Sequence, residues 1–116
     1  MLGLLIALLM STSPAEVVDS SASGFTSRNT VTVSAPPDAV YAALVDEVHE
    51  WWDAAHTYTA DSTNLSLEAE AGGCFCESLP DGGSVQHMEV VYAEPGKTLR
   101  LRGSLGPLQG MGSRVR

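Results

Sequence analysis

Read for where its apolar residues fall, the chain changes period twice. Thr30 to Ser34 alternates, with Val31 and Val33 on one side and Thr30, Thr32 and Ser34 on the other, which predicts a half-buried strand. Ala35-Pro36-Pro37-Asp38 opens a helix: proline lacks an N–H where none is needed, and Asp38 suits the positive end of the dipole. Val40, Tyr41, Leu44 and Val45 follow at helical spacing. After a break near Asp46, Val48, Trp51 and Trp52 predict a second short helix at an angle to the first. From Asn64 the period is two. Leu65, Leu67, Ala69 and Ala71 alternate with Ser66, Glu68 and Glu70, and Gly72-Gly73 turns the chain. Strands are expected at Cys74–Leu79, Val85–Ala93 and Leu99–Arg102. They are separated by the turn signals Pro80-Asp81-Gly82-Gly83 and Glu94-Pro95-Gly96-Lys97, the latter with Pro95 and Gly96 placed for a type II turn. The predicted class is α+β: a strand, two short helices, then at least four antiparallel strands.

The first two dozen residues stand apart. Leu4 to Met10 is a short apolar run, and the polar, small-residue stretch that follows offers Ser13-Pro14-Ala15 and Ser20-Ser21-Ala22 to a signal peptidase. The run is too short for a bilayer-spanning helix and has no preceding Lys or Arg. These features predict a signal peptide over 1–22, a linker over 23–27 within the Ser-rich stretch Glu16–Ser27, and export to the periplasm or medium, with a cytoplasmic protein as the alternative if no cleavage occurs. The mature chain is expected to hold no stable membrane span.

Charge narrows the partners. Fourteen acidic against 6 basic side chains give a net charge of −8, and Arg28 is the only base between Glu16 and Glu94. Such a surface repels phosphate backbones, so nucleic acid is excluded as a partner. Lys97, Arg100, Arg102, Arg114 and Arg116 gather at the end and read as a solvated strand face plus a basic tail.

The order and spacing of several short pieces resemble the helix-grip superfamily SRPBCC, which includes START and polyketide-cyclase-like domains. They are Val31 to Tyr41, Trp51-Trp52, Glu70 to Glu77, Asp81-Gly82-Gly83 with His87, and Glu94 to Leu99. The nearest likeness is to the branch named after activators of the ninety-kilodalton heat-shock chaperone ATPase. The resemblance covers residues 28–108 and implies a curved antiparallel sheet gripping a long C-terminal helix over an apolar cavity. It also implies further strands and that helix after Leu108, where residues 109–116 read as a tail outside the family pattern. A truncated helix-grip domain is therefore expected, with self-association through an uncovered sheet face.

No catalytic constellation is visible. The cavity candidates are Trp51, Trp52, Tyr58, Phe75 and His87, aromatic walls with polar tips suited to a small apolar or aromatic ligand. An enzyme of the polyketide-cyclase or hydrolase kind would use His87 or Glu89 as base, and a co-chaperone-like interaction domain is a further alternative. Cys74 and Cys76 share a strand face and are expected to pack in the core rather than bond to each other. A metal site recruiting them with His56 or His87 lacks the usual ligand spacings, so neither metal nor cofactor is expected.

Overall fold

The computed structural model describes residues 11–111. The apolar run Leu4–Met10 and the end of the basic tail lie outside the described residues. The chain divides after Ala35 into two compact units.

The first unit is a β-hairpin. Strand β1 (Ser11–Ser21) pairs antiparallel with β2 (Gly24–Thr32), with register shifts between Ser13 and Glu16 and between Val17 and Asp19. This corrects two expectations. The stretch read as a linker is strand, and the strand expected at Thr30–Ser34 belongs to this separate two-stranded sheet, not to the main one. Every described residue of β2 is exposed, Val31 included, and Val33 is 43% exposed, so the alternation there does not mark a buried face. The polarity that suggested a linker is the mark of a ribbon wet on both sides.

In the second unit, α1 (Pro37–Asp46) starts from Pro36, whose carbonyl accepts from Ala39 and Val40 N–H at 3.0 and 3.1 Å. It ends at Glu47, whose φ of −122° leaves the helical region, and α2 (Val48–Trp51) follows at once. Neither helix carries a broad buried stripe. Leu44 is 39% exposed, and Val48 is the one buried residue of the pair.

The main sheet is an antiparallel meander: β3 (Leu65–Leu67), β4 (Cys74–Ser78), β5 (Ser84–Glu94) and β6 (Thr98–Gly103), in that order. Asp81 and Gly82, with φ of 62° and 82°, form the mirror-image turn that an Asp-Gly pair favours between twisted strands β4 and β5. Between β5 and β6, Lys97 N–H donates to the Glu94 carbonyl at 3.0 Å and Gly96 takes the positive φ of 74°. The loop before β4 closes tightly, since a Cβ on Gly73 would collide with the Glu68 carbonyl oxygen. The core is small: Val48, Leu65 and Phe75, with Trp52, Leu67 and Met88 packed against them.

The outer face of β5–β6 accounts for much of the basic cluster. Arg102 donates to Glu89 opposite it at 2.6 Å, Lys97 pairs with Glu94 at 3.0 Å, and Arg100 lies over the Tyr92 ring at 5.0 Å. These exposed cations are spent on neighbouring strand residues.

Candidate functional site

One irregularity in the sheet creates the site. Phe75 pairs with Met88, yet the next residue, Cys76, pairs with Gln86, so His87 is the extra residue of a β-bulge. In a bulge two successive residues face one on the partner strand, and the strand twists locally. Simple alternation would group His87 with Val85, Glu89 and Val91. In the structure it keeps to Val85's side of the sheet, the side of Phe75 and Glu77, and is buried, 8% exposed, whereas Glu89 pairs with Cys74 on the other face.

Alternation along β4 also carries Glu77 inward beside Phe75, and both have no accessible surface. A buried carboxylate is costly unless its oxygens are hydrogen-bonded. Here Oε1 accepts from the Tyr58 backbone N–H at 3.0 Å and contacts Nε2 of His87 at 2.8 Å, while Oε2 accepts from the Thr59 N–H at 2.7 Å. Burial alone would raise the Glu77 pKa. The Tyr58 N–H, the His87 ring and Thr59 outweigh it and hold the carboxyl at about 2, against an ordinary 4.5.

Glu77 thereby fastens the segment after α2 to the sheet. That segment is a series of short polar turns. The Asp53 carboxylate accepts from Ala55 N–H at 2.9 Å, and Asp61 accepts from the Thr63 N–H and hydroxyl at 3.0 and 2.6 Å. Between them Thr57 donates its hydroxyl to the Ala54 carbonyl at 2.7 Å. Trp52 donates Nε1–H to the His56 carbonyl at 3.1 Å, and its ring meets Phe75 edge-on, with centroids 5.0 Å apart.

Over this floor opens a cavity of about 670 Å³, within the size range of small-molecule sites. Its walls include Trp52, Tyr58, Met88, Leu105 and Pro107, with His56, Thr57 and His87 contributing polar atoms. The far wall is the chain after β6, which leads into a 3₁₀ helix over Gly106–Met111. Tyr58 Oη donates to the Gly106 carbonyl at 3.2 Å, and Gln109 Nε2 reaches the carbonyls of Gln86 and Ser104, both at 3.2 Å.

Of the five residues singled out from sequence, Trp52, Tyr58 and His87 line this cavity. Phe75 lies beneath it, its ring 5.6 Å from His87. Trp51 does not line it: the side chain is 46% exposed and donates to the Leu44 carbonyl at 3.3 Å. Glu77 was not foreseen, although its place two residues after Phe75 in an alternating strand was a usable signal.

The cysteines require a correction. They face away from Phe75 and are half-buried, not core residues, and their sulfur atoms lie side by side. Their Cα atoms are 5.4 Å apart, inside the range that a disulfide spans. His87 is on the opposite face with Glu77, so it does not join them. Among the described residues no group of three potential ligands is arranged to hold a metal ion. No helix among them is long and apolar enough to cross a membrane.

Comparison with protein-family models, with curated proteins and with solved structures returns no match to this chain.

Proposed function

We propose that the second unit is a small-molecule binding domain whose ligand, apolar or aromatic in body, occupies the cavity above His87. One observation carries this reading: a mostly apolar hollow of about 670 Å³ has a single buried histidine, held by a buried carboxylate, set into its floor. Apolar walls with few fixed polar groups are what small-ligand sites need, since the walls supply affinity and the polar groups orientation. A helix-grip relationship belongs to the same proposal. It is supported by the order of elements, two short helices followed by an antiparallel meander over a cavity. Export of the mature protein and self-association through an uncovered sheet face are also proposals. The first is tested by the N-terminal residue of the mature protein, and the second by its oligomeric state.

The His87–Glu77 pair favours a second reading. A carboxylate that orients an imidazole is the arrangement of a general base, and a cyclase or hydrolase could use His87 so. No hydroxyl or thiol nucleophile is hydrogen-bonded to His87 among the described residues, so binding remains the better-supported reading.

Thermal-shift screening of the full chain against apolar aromatic compounds tests the binding function. A stabilising compound should lose its effect in Trp52→Ala while that variant still melts cooperatively. A compound that stabilises both proteins equally binds elsewhere, which would contradict the reading.

A further inference from the structure

We propose that the cavity selects aromatic ligands that bring a neutral hydrogen-bond donor, a phenolic hydroxyl, to Nδ1 of His87; this rests on the cavity being a binding site at all. Glu77 fixes which nitrogen is free. Its oxygens are met by two backbone N–H groups, at 3.0 and 2.7 Å, and by His87 Nε2 at 2.8 Å. An ionised carboxylate can only accept, so Nε2 carries a hydrogen and the lone pair of the neutral ring is on Nδ1. Nδ1 has no hydrogen-bond partner among the described residues. Among the described residues Tyr41 Oη is the only side-chain nitrogen or oxygen that is both buried and unpartnered, so Nδ1 is not sealed off. His87 lines the cavity, and the geometry assigns Nδ1 to it.

The neighbouring hydroxyls share this polarity. Thr57 has committed its hydrogen to the Ala54 carbonyl at 2.7 Å, and Tyr58 has committed its own to the Gly106 carbonyl at 3.2 Å. Both then offer only lone pairs to a ligand. Three lining residues thus present acceptors, and a ligand that can only accept leaves all three unmatched, with the ring N–H of His56 as the one side-chain donor among the described lining residues left to meet it. An anionic ligand fares no better. No Lys or Arg is among the described lining residues, and Glu77 places a negative charge directly behind His87. A flat ring with a hydroxyl satisfies Nδ1 and stacks against Trp52 and Tyr58.

The test compares 2-naphthol, its methyl ether and 2-naphthoate on the full chain by isothermal titration calorimetry. One neutral hydrogen bond predicts that 2-naphthol binds about three- to tenfold tighter than the ether, with naphthoate weakest. In His87→Phe the preference over the ether should collapse to below about twofold. A second readout needs no variant: the ¹⁵N resonance of His87 Nδ1 should move with 2-naphthol and stay with the ether. Equal binding of naphthol and ether, with Nδ1 unmoved, overturns the donor preference and leaves the cavity reading intact. Tightest binding by naphthoate overturns it in favour of an anion held by imidazolium. Binding by none of the three defeats the cavity reading, and this inference with it.

Discussion

Replacing Glu77 by leucine separates a structural carboxylate from a spectator. The substitution removes the acceptor for three donors at once: the N–H groups of Tyr58 and Thr59 and Nε2 of His87. Hydrogen bonds to a charged group contribute about 1.5–3 kcal/mol each, so the gross loss is on the order of 5–9 kcal/mol. Removing the buried charge returns several kcal/mol of desolvation, and the cavity nearby lets water screen the site. The net expectation is a destabilisation of about 3 kcal/mol, a large share of what so small a core can supply. Glu77→Gln keeps one carbonyl oxygen but sets an NH₂ against one of the backbone donors, so about half that loss is expected. Urea titration followed by tryptophan fluorescence gives the result directly. With m near 1 kcal/mol/M, a loss of about 3 kcal/mol lowers the midpoint by roughly 3 M at unchanged m. A Glu77→Leu protein within about 0.5 kcal/mol of the parent would refute the reasoning, because it would mean those donors find water as readily as carboxylate.

Two further outcomes follow from the same geometry. The folded-state pKa of Glu77, about 2, lies below its ordinary 4.5, so its contribution is present above pH 4.5 and is lost as the pH falls toward 2; acid titration of stability should show this fall, and Glu77→Leu should flatten it. Gly73→Ala should cost more than about 2 kcal/mol in the same urea assay, because the new Cβ meets the fixed Glu68 carbonyl rather than a movable side chain; an unchanged midpoint would show that the loop before β4 can relax.

The sheet was legible in the sequence wherever turn chemistry and alternation agreed. Asp81-Gly82 and Pro95-Gly96 set both hairpins of the β4–β6 meander, and Leu65, Leu67 and Phe75 face inward as their spacing requires. Alternation failed just after His87, where one extra residue turns Glu89 to the opposite face, and no residue type there announces a bulge. The β1–β2 hairpin was missed for a different reason. Its residues are mostly polar or small, and its few large apolar ones, Val17, Val18, Phe25 and Val31, are exposed, so a ribbon wet on both faces has the composition of a linker. Of the aromatic residues singled out from the sequence, Trp52 and Tyr58 line the hollow and Trp51 does not. Their arrangement was not legible, because it depends on the bulge and on Glu77 fastening a loop 18 residues away in sequence.

The central claim is that the hollow above His87 holds a ligand, and an amide chemical-shift map of the full chain titrated with 2-naphthol tests it most directly. A ligand seated there gives saturable shifts confined to Ala55–Tyr58, His87–Met88 and Gly103–Gly106, the segments that wall the cavity. Shifts scattered over the exposed hairpin and the outer face of β5–β6, or no shifts at all, would contradict it.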